Sequence, residues 1–171
     1  ATMPTDLTGR WAIVGYDVDS NYKFITSQPK VLNNALEAKD AVADLGATVS
    51  DKYLEFTTNE QSIRFDFEKT ADGSYTIRNT VDNTYLALEG TKLAAVETVT
   101  DAAKWTVEVE VKGNVTVFNA EAENMLLTYD DEKHTFAVFD NSKALGQISG
   151  VPFYPSDFYY LWLYRCVEED F

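Results

Sequence analysis

Cysteine and histidine occur once each among the 171 residues, and positive charge is outnumbered two to one. The lone Cys166 permits no intrachain disulfide, so the fold must rest on its core. Its neighbours Glu168-Glu169-Asp170 oppose the cationic surroundings that a reactive thiol needs. Any histidine-dependent triad would have to use His134, which follows Asp130-Asp131-Glu132 in an alternating segment and reads as a strand-edge residue. No apolar run reaches the roughly 18 residues of a membrane span. Fourteen Lys and Arg against 28 Asp and Glu give a net charge of −14. A field of that sign keeps the chain soluble and repels phosphate backbones, which argues against a nucleic-acid partner. Zinc-spaced His/Cys clusters, phosphate-cradling glycine loops and nucleophile elbows are also missing. Among so many carboxylates some must lie close together, yet nothing marks a pair with contrasting environments. The expectation is a non-enzyme with no cofactor and no resident metal.

What is abundant is alternation. Apolar residues make up 45% and aromatics 13%, a composition suited to a folded β-rich globule. Ile63–Glu68 and Trp105–Val111 alternate apolar and polar, as strands with one buried face do. Each leads through a tight turn, Ala71-Asp72-Gly73 or Lys112-Gly113-Asn114, into a second alternating run. Glycine beside Asp or Asn supplies the left-handed backbone that such hairpins require.

The two hairpins align with a shift of 40 residues, Tyr75–Asn79 falling on Val115–Asn119. Further strands follow in step: Tyr85–Leu88 with Met125–Thr128, Lys92–Val96 with His134–Phe139, and Trp105–Val111 with Tyr160–Tyr164. The N-terminal part runs similarly through Trp11–Val14, Tyr22–Ile25 and Ile63–Glu68. Three four-stranded units, about 9–70, 74–112 and 114–166, predict an all-β β-trefoil spanning residues 1–171 as a single domain. A propeller needs at least four blades; a generic barrel of look-alike strands is the plainer alternative. Within unit one, Asn33–Gly46 carries helix formers, an Asn cap and a terminal Gly, and predicts a short helix. In unit three, Asn141–Asp157 holds two of the four prolines and reads as a long loop without strands.

Gly9-Arg10-Trp11, Asp72-Gly73-Ser74-Tyr75-Thr76-Ile77, Asn83-Thr84-Tyr85-Leu86-Ala87, Lys104-Trp105-Thr106-Val107 and Leu161-Trp162-Leu163-Tyr164-Arg165 together carry a resemblance. The chain resembles small repeat domains of secreted and surface proteins of gut Bacteroidetes, over most of its length apart from Asn33–Gly46. That resemblance implies an exported location and an association with polysaccharide handling, and it brings no set of functional residues. The polar start Ala1–Asp6 has no signal-peptide pattern, so any export signal is expected outside this sequence. Gly9-x-Trp11 together with Arg165 is also similar to the signature of lipocalin-type barrels, in which an Arg packs over the Trp; a lipocalin-like closed barrel is the alternative fold.

A sugar site wants an aromatic face for the ring's C–H surface and Asp or Asn for its hydroxyls. Asp82, Asn83 and Tyr85 offer both, as do Tyr129, Asp130 and Asp131; the same residues also suit turns and core. Trp105 stands where some trefoil lectins place a Gln-x-Trp motif, but Ala103 breaks that motif and makes Trp105 a core residue. Asp17-x-Asp19-x-Asn21 begins like a calcium loop and fails at Tyr22 and Gln28, so a solvated turn is expected. These features point to a monomeric, non-catalytic, exported binding module for a glycan or a protein partner. Alternatives are a protease inhibitor using the Asn141–Asp157 loop, or a lipocalin-like carrier of a small apolar ligand.

Overall fold

A computed structural model describes residues 4–16, 22–23, 25–26, 30–49, 53–56, 63–130, 132–158 and 161–166. In chain order the strands begin with β1 (Gly9–Tyr16), β2 (Tyr22–Lys23), β3 (Ile25–Thr26), β4 (Leu36–Lys39), β5 (Ala47–Val49), β6 (Tyr53–Phe56) and β7 (Phe65–Lys69). Then come β8 (Tyr75–Asn79), β9 (Tyr85–Glu89), β10 (Lys92–Val96), β11 (Trp105–Val109), β12 (Val115–Asn119), β13 (Met125–Asp130) and β14 (Thr135–Asp140). The chain finishes with β15 (Gly146–Ile148), β16 (Val151–Phe153), the single helical turn α1 (Pro155–Phe158) and β17 (Leu161–Cys166).

Six strands close into a barrel in the order β1, β7, β8, β11, β12, β17 and back to β1, every neighbour antiparallel. Closure leaves this ring without an exposed sheet edge. Between successive barrel strands the chain makes the pairs β3–β4, β9–β10 and β13–β14. These pairs meet one another, β14 bonding to β4 and packing against β10.

The period of two in the sequence becomes two buried layers along β1. Trp11 and Ile13 point into the barrel with Phe65, Phe67, Ile77, Trp105, Val117 and Leu163, all 5% exposed or less. The barrel is therefore filled with side chains. It has six strands, not the eight-stranded meander of the lipocalin-like alternative, although Arg165 does lie over the Trp11 ring at 5.2 Å. Ala12 and Val14 face the other way, into a second cluster with Ala41, Ala47, Ile63, Tyr164 and Cys166. Residues of the unit-one insertion thus cover the outside of β1. Trp105 is fully buried and donates its indole N–H to Leu86 O at 2.9 Å, as its core assignment requires.

Two expectations need correction. The helix expected over Asn33–Gly46 is instead strand β4 and a single turn over residues 41–45, which leads into strand β5. Asn33 and Asn34 take left-handed φ values of 51° and 62° and make a reversal closed by Leu32 and Ala35, so neither caps a helix. Leu36–Lys39 then finds β3 on one side and β14 on the other, and these ladder bonds outweigh its helix propensity. The turn keeps helix-like bonds, the Asp40 carboxylate accepting from the Val42 and Ala43 amides and the Gly46 amide donating to Val42 O before Gly46 turns at φ 68°. The closing segment Asn141–Asp157, expected to lack strands, holds the β15–β16 hairpin and α1. Its turn is Ser149-Gly150, both at positive φ, a two-residue hairpin signal that the neighbouring prolines obscured.

Candidate functional site

The tightest polar geometry lies in the turns. Asp72 accepts from the Ser74 hydroxyl at 2.6 Å, from the Ser74 amide at 3.0 Å and from the Thr70 hydroxyl. The Ser74 hydroxyl first, then Thr70, hold its carboxyl well below the ordinary range. Asp140 repeats the device: the Ser142 hydroxyl, then Asn124, then the Ser142 amide bring its pKa down to about 2. A carboxylate so engaged is a turn lock.

Asp82 belongs to the same class. Burial opposes its charge most strongly, but hydrogen bonds from the Thr84 hydroxyl at 2.7 Å, the Thr84 amide and the Asn79 side chain prevail and lower its pKa. Asn83 sits beside it at φ 62°, its side-chain oxygen accepting from Arg78. Arg78 also binds Asp66 at 2.7 Å, and Asp66 binds Arg10 at 2.7 Å, so one carboxylate ties β1, β7 and β8 together. Tyr85 is half-buried opposite Arg78 in the β8–β9 ladder.

Tyr129 is buried, its ring centroid 5.1 Å from that of Phe136 and its hydroxyl joined to His134 Nδ1 by a 3.1 Å hydrogen bond. His134 itself is exposed, at φ 54°, immediately before β14. Asp130, 8% exposed, accepts from the Glu132 and Lys133 amides. Asp131 and the Asp17-Asp19-Asn21 turn lie outside the described residues. Among the described residues no cluster of His, Cys, Asp and Glu could hold a metal ion.

A concavity of about 580 Å³ opens where the three inter-strand pairs converge. Its walls come from the Asn33-Asn34 reversal, the β9–β10 turn at Thr91–Leu93, and β13–β14 with Asp130, Lys133, Thr135 and Phe139. Asn34 bridges two walls, its side-chain amide donating to Leu93 O at 3.2 Å. A neighbouring cleft of about 510 Å³ shares Glu37 and Lys133 with the first and holds Tyr129 and His134. Of the sequence candidates, Asp130 therefore lines the larger cleft and Tyr129 the smaller one. Asp82, Asn83 and Tyr85 line neither, although the charge of Lys30, on the rim of the larger cleft, reaches Asp82.

Sequence reasoning missed the Asn33-Asn34 wall, Thr91-Lys92 and Phe139. The adjacent pair of asparagines was the available signal, since Asn tolerates the left-handed conformation better than most residues.

No protein-family model and no curated protein matches the chain. Solved structures do match in fold. Over 97% of this chain the GlcNAcα1-4Gal-releasing endo-β-galactosidase from Clostridium perfringens is 16% identical with a TM-score of 0.56; the chain spans 34% of that protein's length. The Haemophilus ducreyi cytolethal distending toxin is matched over all of this chain and 92% of its own, at 12% identity and a TM-score of 0.61. SeviL bound to the asialo-GM1 saccharide is matched over 92% of this chain and 98% of its own, at 15% identity and a TM-score of 0.50. At these identities the likeness is one of fold.

Proposed function

We propose that this chain is a non-catalytic saccharide-binding module of β-trefoil architecture, carried on an exported protein. The cleft between the inter-strand pairs carries the reading. It sets the half-buried Phe139 and the exposed Leu32 among Asn33, Asn34, Thr91 and Thr135, joining an apolar surface to hydrogen-bonding groups in one concavity. A pyranose presents the matching surfaces, a C–H face and a rim of hydroxyls. A volume of this order is usual for small-molecule sites. The trefoil assignment is supported by the six barrel strands and three intervening pairs, two barrel strands and one pair from each third of the chain. A fold shared with SeviL, whose structure holds a saccharide, supports the ligand class. Export rests on the sequence resemblance and is checked on the precursor, where a signal or lipidation segment is expected.

The test is a glycan array followed by titration calorimetry. Intact protein is expected to retain saccharides, and Phe139→Ala to weaken them about tenfold, equivalent to roughly 1.4 kcal/mol. An array on which nothing is retained refutes the reading.

A second reading, a protein partner such as a protease, is favoured by the β15–β16 hairpin. Its tip exposes Ile148 at 55% and Val151 at 65%, and no charged residue occurs between Lys143 and Asp157. Inhibition of some member of a protease panel, abolished by Ile148→Ser, is the expected result on that reading.

A further inference from the structure

The charge around the larger cleft runs opposite to the charge of the chain. Overall, acids outnumber cations 28 to 14. Among the described residues the cleft is lined by three lysines, Lys30, Lys92 and Lys133, against two acids, Glu37 and Asp130. Both acids are occupied. Glu37 lies 3.4 Å from Lys39, a residue outside the larger cleft, and Asp130 accepts the amides of its own turn. Lys30, Lys92 and Lys133 are exposed, and among the described residues none forms a close ion pair, the charge of Lys30 reaching Asp82 only at longer range. They stand on three different walls: before the Asn33-Asn34 reversal, at the start of β10, and on the β13–β14 turn. Three lysines lining one concavity in a protein of net charge −14 are poorly explained by solubility, which dispersed acids already provide.

We infer that the cleft selects an anionic saccharide, one bearing carboxylate or sulfate groups, an inference that rests on the saccharide-binding reading above. Lysine ammonium groups act as compact point charges with freely turning donors and impose no planar bidentate geometry. They therefore suit either acidic substituent, in more than one position along a chain of sugars. Phe139 and Leu32 take the C–H face, and the three lysines surround the acidic group. The net charge of the protein repels polyanions at long range, so binding is confined to groups that reach the cleft itself. Salt acts on that short-range attraction.

The experiment compares three oligosaccharides of one size on the full chain: neutral galactose, galacturonate, and sulfated galactose. Expected is a preference of at least about tenfold for one or both acidic probes, diminishing as sodium chloride rises toward 0.5 M, where the Debye length is only about 4–5 Å. The galacturonate and sulfate arms separate the two sources of charge. Lys92→Ala and Lys133→Ala remove exposed side chains and keep the fold, which circular dichroism verifies. Each is expected to lower affinity for the acidic probe about fivefold to tenfold, the scale of one ion pair near a surface, and affinity for the neutral probe less than twofold. Equal binding of neutral and acidic probes, or acidic binding insensitive to both substitutions, overturns the selectivity and leaves saccharide binding standing. Absence of binding to all three probes, together with an empty glycan array, overturns both.

Discussion

Asn79 and Asn119, at corresponding positions 40 residues apart, make the same turn with the same atoms. Each side-chain oxygen accepts from the amides two and three residues ahead: Val81 and Asp82 for Asn79, Glu121 and Ala122 for Asn119. Both asparagines are 1% exposed or less. The preceding hairpins match as well, Thr70 N–H donating to Ser74 O and Glu110 N–H to Asn114 O, each at 2.8 Å. What repeats is a set of buried polar turn locks, which a short aliphatic side chain cannot replace.

Asn119→Ala therefore takes the acceptor from the Glu121 and Ala122 amides and deletes a buried side chain that also donates to Ala102 O at 3.0 Å. The expected cost is about 1–3 kcal/mol, the scale of several lost hydrogen bonds. It is read from the urea midpoint at unchanged slope. Asn79→Ala is expected to behave alike, and indifference to both would show that water satisfies these turns instead.

Gly15 is a glycine because of Tyr129. A Cβ at position 15 would fall 2.4 Å from Tyr129 Cβ and 2.5 Å from its Cγ, and the Tyr129 ring is held in turn by Phe136. Gly15→Ala must push β13 away from β1. Overpacking of this kind costs about 1–3 kcal/mol, lowering the melting temperature by about 2–4 °C for each kcal/mol. Because the Tyr129 hydroxyl binds His134, the imidazole resonances of this lone histidine are expected to move as well.

Asp140 gives a pH dependence whose sign is fixed. Its carboxyl titrates near 2 in the folded chain against 3.8 when unconstrained, so the folded form binds fewer protons between those values. Its contribution to stability is complete above about pH 4 and is lost as the pH falls through 2. Ser142→Ala is expected to raise the carboxyl midpoint more than Asn124→Ala does, following the order of the two contributions. Carbon-13 titration of the side-chain carboxyl measures both, and an unmoved midpoint would assign the depression to another neighbour.

The strands that could be read from the sequence were those whose pattern and turns agree. Tyr75–Asn79, Lys92–Val96 and Val115–Asn119 form strands with those bounds, because each follows a positive-φ glycine turn, at Gly73, Gly90 or Gly113, that agrees with the strand pattern. The unit-one insertion could not be read, because its local preference and its tertiary surroundings disagree. The cleft was half legible. Asp130 lies in an acidic, aromatic turn of the kind a sugar site uses, whereas Lys30, Lys92 and Phe139 are far apart in sequence and only the meeting of β4, β10 and β14 assembles them.

Leu36 separates the two accounts of that insertion. On a helix over Asn33–Gly46, Leu36→Ala would be mild, since alanine is the better helix former. In the structure Leu36 opens β4, is fully buried in the main core, and pairs with Phe136 of β14. Removing its side chain deletes buried volume between two bonded strands, and about 2–5 kcal/mol is expected to go with it. The loss should also loosen the wall of the cleft that β4 supports. Hydrogen exchange at Ala38, whose amide donates to His134 O at 2.9 Å, is then expected to speed up along with global unfolding. A Leu36→Ala chain as stable as the parent would return the segment to a helix.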